Sequence, residues 1–119
     1  MLSLISFLNN FKRDIASINR SDKNKKFLFK SITHLMISLE IASCSIIDEK
    51  INFLHLKSTI PSSIATEFQI REVLNEGIKQ KFFIKKYCFR DNKKPYYKIS
   101  KSFSLMITNW YLENKTKFN

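Results

Sequence analysis

The amino-acid sequence predicts a mainly α-helical domain that carries one small β-hairpin. Apolar residues recur at three- and four-residue spacing over long stretches, which is typical of amphipathic helices. Only one glycine and two prolines interrupt the 119 residues, which disfavours a many-turned sandwich or barrel. Residues 82–99 are rich in aromatic and β-branched side chains around a group of turn residues, as in two short paired strands. We therefore expect a single domain over residues 1–119.

The N-terminal part of the chain is predicted to form two amphipathic helices. The first lies within residues 1–20, where six apolar residues share one helical face: Leu4, Phe7, Leu8, Phe11, Ile15 and Ile18. This helix either mediates dimerisation or closes the core of its own subunit. A polar interruption precedes the second helix, predicted over residues 26–43. No signal peptide is expected, and no apolar run is long enough to span a membrane.

A helix-turn-helix is predicted in the next segment. Ser45 and Asp48 are spaced as a capping box, which predicts that a third helix begins there. Its inward residues would be Ile47, Ile51 and Leu54. The end of this helix is left open, because Pro61 disfavours helical geometry at Ile60.

A fourth helix is predicted to begin after Thr66, which forms a capping box with Gln69. Ser62 or Ser63 would cap a slightly longer helix. The inner face of the helix consists of Ile70, Val73, Leu74 and Ile78. Its polar residues lie away from that face and are Glu67, Gln69, Arg71, Glu72 and Asn75.

The hairpin and a last helix complete the predicted order of elements. Residues 82–89 and 96–99 are predicted strands, and residues 90–95 supply the turn, so the hairpin has a basic tip. Ser100 or Ser102 is predicted to cap a C-terminal helix over residues 101–115. Its apolar residues at helical spacing are Phe103, Met106, Ile107, Trp110 and Tyr111.

Positive charge is concentrated around the predicted hairpin. The whole chain has a net charge of +11. Between residues 79 and 101, nine basic residues and one acid, Asp91, give +8. Mutual repulsion disfavours such a cluster unless a polyanion binds opposite it. The cluster therefore favours a nucleic-acid backbone as partner over the alternative of a solvated lysine-rich surface.

Residues 91–100 read Asp-x-Lys-Lys-x-Tyr-Tyr-x-Ile-Ser and follow a helix and a basic strand. This pattern is similar to the wing of the MarR-like multiple-drug-resistance regulators, which commonly reads Asp-x-Arg-x-x-x-hydrophobic-x-Leu-Thr. The resemblance covers residues 66 to about 111. Lys81 stands where the family usually has glycine, and Gly77 lies inside the predicted helix. The resemblance implies a winged helix-turn-helix with flanking N- and C-terminal helices, in which residues 45–100 form the helix-turn-helix and wing.

The resemblance also implies a function, namely sequence-specific binding of double-stranded DNA by a homodimeric, cytoplasmic transcriptional regulator without catalytic activity or a cofactor. The recognition helix would lie in the major groove, where Arg71 suits guanine and Gln69 suits adenine. The basic wing would contact the backbone or the minor groove. The candidate nucleic-acid-binding residues are Ser63, Thr66, Glu67, Gln69, Arg71, Lys79, Lys85, Lys86, Arg90, Lys93 and Lys94.

Two other functions compete with DNA binding. One is an RNA-binding or replication-associated winged helix, which would use the same basic wing on RNA or single strands. The other is a protein-interaction or membrane-surface module whose lysines meet anionic lipid. The basic residues lie in a predicted hairpin rather than along one helix face, which counts against the membrane alternative.

Catalytic and metal sites are not expected from the sequence. His34 and His55 stand at no ligand spacing with a cysteine or with each other. The hydroxyls of residues 58–63 have no nearby histidine, and no glycine-rich loop is present to bind a phosphate. Cys44 and Cys88 are expected to be free thiols in a reducing cytoplasm. Cys88 is either a buried strand residue or a redox-sensitive thiol.

Overall fold

The computed structural model of the protein describes residues 5, 8, 9, 12, 13, 23–88 and 91–118, with the backbone alone at 88, 91–93 and 113–118. Its helices and strands are α1 (Lys23–Leu28), α2 (Ile32–Ile46), α3 (Phe53–Thr59), α4 (Glu67–Lys79), β1 (Phe83–Cys88), β2 (Asp91–Ile99) and α5 (Lys101–Phe118). Helices thus precede and follow one antiparallel hairpin, which confirms the predicted fold class. Most of the helix predicted within residues 1–20 lies outside the described residues.

The prediction of one helix over residues 26–43 is wrong in one respect, because two helices, α1 and α2, are separated there by residues 29–31. Ser31 has extended backbone angles, φ −157° and ψ 168°, and its side chain accepts a hydrogen bond from the backbone N–H of His34 at 3.1 Å. Ser31 is therefore the N-cap of a new helix. Apolar residues lie on both sides of the break, so the apolar pattern alone did not reveal it.

The prediction that a third helix begins at Ser45 is also wrong. Ser45 lies in the last turn of α2, and its hydroxyl accepts a hydrogen bond from the backbone N–H of Ile99 at 3.1 Å. Asp48 follows the end of α2 with a φ of 56°, which is left-handed backbone. The hydroxyl of Ser45 therefore binds the backbone of strand β2 and does not cap a helix.

Helix α3 begins later and is short. The side chain of Asn52 accepts a hydrogen bond from the backbone N–H of His55 at 2.9 Å and caps it. Of the three residues predicted to point inward, Ile51 is buried, whereas Ile47 and Leu54 are exposed. Ile60 is extended, with φ −92° and ψ 118°, as expected of a residue that precedes proline.

Helix α4 has the predicted start and the predicted inner face. The hydroxyl of Thr66 accepts a hydrogen bond from the backbone N–H of Gln69 at 3.2 Å. The amide oxygen of Gln69 in turn accepts one from the backbone N–H of Thr66 at 2.8 Å. The inner face is confirmed, with Ile70, Val73 and Leu74 buried and Ile78 partly buried.

The hairpin is regular near its base and irregular near its tip. Phe83 pairs with Ile99, and the register continues to the pair of Tyr87 and Pro95, beyond which it shifts. Strand β2 begins at Asp91, so most of the segment predicted as a turn at residues 90–95 belongs to the strand. The prediction failed there because charged and turn-forming residues can occupy the edge of a two-stranded ribbon.

An isolated β-bridge connects the hairpin to the segment before α3. The backbone N–H of Tyr97 donates a hydrogen bond to the carbonyl oxygen of Ile51 at 2.9 Å, in an antiparallel bridge. The chain therefore runs helix, bridge, helix, turn, helix and hairpin, an order compatible with a winged helix-turn-helix.

Two backbone positions join α4 to the hairpin. A Cβ atom added to Gly77 would lie 2.2 Å from Cδ2 of Phe83, so only glycine lets the buried Phe83 ring pack so closely on α4. Lys81, in the connection to β1, has a φ of 65°, a conformation that glycine adopts more readily than lysine.

Helix α5 closes the fold. Its predicted start is confirmed, because the hydroxyl of Ser100 accepts a hydrogen bond from the backbone N–H of Phe103 at 3.3 Å. The side chain of Phe103 is fully buried against the rings of Phe27, Phe82 and Phe83. Among the helices described, none combines the length and the apolar character that crossing a bilayer requires.

Candidate nucleic-acid interface

The two faces of the hairpin carry different groups of side chains. Successive residues of a strand point to opposite faces, so Phe83, Lys85 and Tyr87 share one face with their cross-strand partners Pro95, Tyr97 and Ile99. Tyr97 is buried there, whereas Lys85 and Tyr87 are exposed. This face of the hairpin therefore combines buried residues with exposed basic and aromatic ones.

Lys85 of β1 lies directly opposite Tyr97 of β2 in the register of the hairpin. Burial raises the pKa of Tyr97, and the positive charges of Lys85 and of Arg71 in α4 act in the opposite direction. A helix side chain and a hairpin side chain thus both act on the same tyrosine.

Phe53 of α3 packs against the side chain of Arg71. The guanidinium carbon of Arg71 lies 3.9 Å from the centre of the Phe53 ring, a cation–π contact. Phe53 also lines a small cavity of about 120 Å³ together with Lys94 of β2. Arg71, Lys85 and Lys94 are hereafter called the wing–helix face.

Lys86 does not belong to the wing–helix face, although the sequence grouped it with Lys85. It points to the other side of the hairpin and lines a groove of about 580 Å³ between the hairpin and α5. That groove also contains Lys98 and the apolar residues Ile84 and Leu105. Strand alternation separates the two neighbouring lysines, so a flat surface can contact only one of them closely.

Acidic and capping side chains occupy the start of α4. Glu67 accepts hydrogen bonds from Lys57 at 3.1 Å and from Arg71 at 3.2 Å, and these bonds, that of Lys57 first, lower the pKa of its carboxyl. Gln69 and Thr66 are exposed but hold one another in the capping box. Their hydrogen bonds within the helix start reduce what they can offer to a ligand.

The exposed stripe of α4 includes a residue that the sequence reasoning missed. Phe68 is 68% exposed, although phenylalanine is usually buried. It shares a helical stripe with the exposed Arg71, Glu72 and Asn75, at spacings of three, four and seven residues. The signal was present in the sequence, because Phe68 falls outside the apolar stripe that begins at Ile70.

The remaining candidates are placed as follows. Ser63 is exposed in the turn between α3 and α4, and Lys79 is exposed at the last residue of α4. Arg90 lies outside the described residues. The side chains of Lys93 and Cys88 are likewise not described, so the basic tip and the redox thiol stay predictions.

Comparison with known proteins gives no match, since no family model, no curated protein and no solved structure is similar to this chain. The charges and contacts of the wing–helix face are the observations from which a function can be inferred.

Proposed function

We propose that the protein binds double-stranded DNA in a sequence-specific manner and acts as a cytoplasmic, non-enzymatic transcriptional regulator. The observation that carries this proposal is the contact of Arg71 with the ring of Phe53, whose centre is 3.9 Å away, beside the hairpin. Phe53 lines one cavity with Pro95, which shares a hairpin face with Lys85. A duplex offers base edges in its major groove and phosphates along both rims. A helix in the groove and a basic hairpin on the adjacent backbone would meet it together.

The exposed stripe of α4 supplies chemistry for reading bases. Arg71 is held by Glu67 at 3.2 Å, an exposed ion pair that a guanine can replace with two hydrogen bonds. Phe68 offers an apolar surface that suits the methyl group of thymine. Discrimination would come from these two residues, whereas the lysines of the hairpin position the duplex without reading it.

Salt dependence gives a first measurement of the phosphate contacts. If about six phosphates are neutralised, the logarithm of affinity falls against the logarithm of salt concentration with a slope of about −5. The experiment selects duplexes from a randomised library and then titrates one enriched duplex by fluorescence anisotropy. Failure to enrich any sequence, or a slope near zero, would contradict sequence-specific DNA binding.

Two neighbouring lysines provide a matched pair of variants. Lys85→Ala and Lys86→Ala remove the same charge from adjacent positions on opposite faces of the hairpin. We expect Lys85→Ala to weaken duplex binding and to reduce the salt slope by about 1. Lys86→Ala should change both quantities much less. Equal losses would mean that overall charge, and not the wing–helix face, binds the duplex.

Exposed aromatic residues favour one second candidate, binding of single-stranded nucleic acid. Phe68 is 68% exposed and Tyr87 is 55% exposed, and Tyr87 shares its hairpin face with Lys85. Aromatic rings beside cations can stack on unpaired bases. Competition of duplex DNA, single-stranded DNA and RNA for the same labelled duplex separates the candidates, because stronger competition by a single strand would favour the second.

The proposed regulator would act as a homodimer. Helix α5 exposes Leu105, Tyr111 and Leu112, which are 61%, 57% and 48% exposed. A two-fold dimer would place two α4 helices on half-sites about one turn of DNA apart, roughly 34 Å. Light scattering across a concentration series measures the mass in solution, and a monomer at the concentrations that bind DNA would exclude this arrangement.

A further inference from the structure

A cluster of three different donor groups lies between α2 and α3. It consists of the carboxylate of Glu40, the thiol of Cys44 and the imidazole of His55. One donor atom from each residue lies within 4.8 Å of the other two. Nε2 of His55 and Oε1 of Glu40 are 3.0 Å apart.

The fold of this segment explains how the three groups meet. Glu40 and Cys44 are four residues apart in α2, so they lie on one face of that helix. Asn52 caps α3 and orients its first turn, which carries His55. His55 is 11 residues beyond Cys44 and on another helix, so its position in the sequence matches no ligand motif.

Oxygen, sulfur and nitrogen donors of these types are the ligands of tetrahedral Zn²⁺. With metal–ligand bonds of about 2.0–2.3 Å, tetrahedral ligands lie roughly 3.3–3.8 Å from one another. Donor atoms within 4.8 Å of one another, one pair of them 3.0 Å apart, are close enough for side-chain rotation to bring them to these distances. Cys44 is buried, whereas the side chains of His55 and Glu40 are 41% and 35% exposed, so an ion has a route of entry.

Acidic residues lie close to the thiol, in a chain whose net charge is +11. Glu40 is one turn before Cys44 in the same helix, and the backbone N–H of Glu49 donates a hydrogen bond to the carbonyl oxygen of Cys44 at 2.8 Å. A divalent ion held by the thiolate and the Glu40 carboxylate would bind groups of opposite charge.

We propose that Glu40, Cys44 and His55 form a binding site for Zn²⁺ or a similar divalent transition metal, with water as the fourth ligand. The ion takes the place of the hydrogen bond between Glu40 and His55 and is bound by the Cys44 thiolate, whose proton is released to solvent. The sequence reasoning expected no metal, because it judged ligands by spacing along the chain.

A metal at this place would join α2 to the first helix of the helix-turn-helix. Two of the ligands come from α2 and one from α3. Helix α3 is only seven residues long, so one coordinate bond fixes a large part of it. Phe53, which supports Arg71, is two residues before His55 in the same helix.

Cobalt provides a direct test, because Co²⁺ occupies the same ligand sets as Zn²⁺ and its thiolate bond absorbs in the near ultraviolet. The full chain is titrated with Co²⁺ and then with Zn²⁺. We expect one equivalent of Co²⁺, a thiolate-to-cobalt absorption band, and loss of that band when Zn²⁺ is added.

The variants test two of the three ligands, and a separate measurement tests the fold. Cys44→Ser should abolish the band, and His55→Gln should weaken Zn²⁺ binding by more than the ~10- to 100-fold typical when only a hydrogen-bond partner of a ligand is removed. Cys88→Ser keeps the proposed thiol and all three ligands, so it should bind as the parent does. Circular dichroism shows whether each variant is folded, and His55, being partly exposed, is the variant least dependent on packing.

Three results would overturn the proposal. One is a folded parent protein that binds no Co²⁺ or Zn²⁺ at micromolar concentration. Another is a thiolate band that persists in Cys44→Ser and disappears in Cys88→Ser. The third is a folded His55→Gln variant that binds Zn²⁺ as tightly as the parent.

Discussion

Helix α2 makes one histidine–glutamate contact with α3 and another with α4, and the two contacts differ in their third partner. In the contact with α4, Nε2 of His34 lies 2.9 Å from Glu76, and Lys30 also bonds Glu76, at 2.6 Å. In the contact with α3, Nε2 of His55 lies 3.0 Å from Glu40, and the third group is the thiol of Cys44.

The third partner decides what each contact can do. His34 is only 8% exposed, its Nδ1 lies 2.6 Å from the hydroxyl of Ser31, and its ring packs edge-on against Phe27. The ammonium group of Lys30 already balances the negative charge of the Glu76 carboxylate. We call this the closed contact, and it stabilises the fold. In the contact with α3 the third group is a thiol, which adds a metal-binding donor and no positive charge, so this open contact is suited to an ion.

The largest expected effect on stability is that of a substitution at Gly77, the residue after Glu76 of the closed contact. Gly77→Ala would place a Cβ atom 2.2 Å from the buried Phe83 ring. We expect a loss of about 1–3 kcal/mol in the free energy of unfolding, which exceeds the gain of ~1 kcal/mol from better helix propensity. Urea denaturation measures it. Asn75→Ala, exposed on the same helix, is the control, and equal stability of the two variants would contradict the close packing described.

The next effect concerns the charge of Glu76. Burial raises the pKa of this carboxyl, but the hydrogen bonds from Lys30 and His34 outweigh burial and hold the pKa below its usual value. We expect Glu76→Gln to lower the free energy of unfolding by about 1–2 kcal/mol at neutral pH, because the amide offers the Lys30 ammonium no opposite charge.

The pH dependence of that difference follows from the direction of the shift. A carboxyl with a lowered pKa stabilises the folded state fully above its unfolded pKa, about 4.3, and loses this contribution as the pH falls through the folded pKa. The gap between the parent and Glu76→Gln should therefore close in acid. Urea denaturation at a series of pH values measures it, and a constant gap from neutral to acidic pH would exclude the charged contact.

The smallest effect is expected at the open contact in the absence of metal. The side chains of His55 and Glu40 are 41% and 35% exposed, so solvent screens their attraction. Glu40→Gln in the presence of a chelator should cost at most about 0.5–1 kcal/mol. Thermal unfolding with and without Zn²⁺ then sharpens the comparison, since Zn²⁺ should stabilise the parent more than this variant. A loss as large as that of Glu76→Gln would mean that both contacts are closed structural pairs.

Local signals in the sequence predicted the elements that depend on neighbouring residues. The capping box of Thr66 and Gln69, the inner face of α4 and the start of α5 at Ser100 each depend on residues within one or two turns. The boundary errors came from competition between possible caps. Ser45 has the chemistry of a helix cap, but tertiary structure uses its hydroxyl to bind the backbone of Ile99, 54 residues away.

The candidate sites were predictable only in part, for the same physical reason. The basic charge around the hairpin is visible in the composition, but the separation of Lys85 from Lys86 depends on the strand register. Cys44 and His55 come together only when α3 packs on α2. Such proximity between residues on different elements is set by packing, and periodicity along one chain does not encode it directly.

The backbone bridge between Ile51 and Tyr97 has a consequence for recognition. Ile51 immediately precedes Asn52, the cap of α3, and Tyr97 lies opposite Lys85 in the hairpin. This hydrogen bond of 2.9 Å, together with the one from Ile99 to Ser45, therefore fixes the hairpin relative to α2 and the start of α3. This arrangement is built in before any partner arrives, so little ordering entropy is lost in establishing it on contact. The distance between the hairpin and the start of α3 is therefore a property of the folded chain itself.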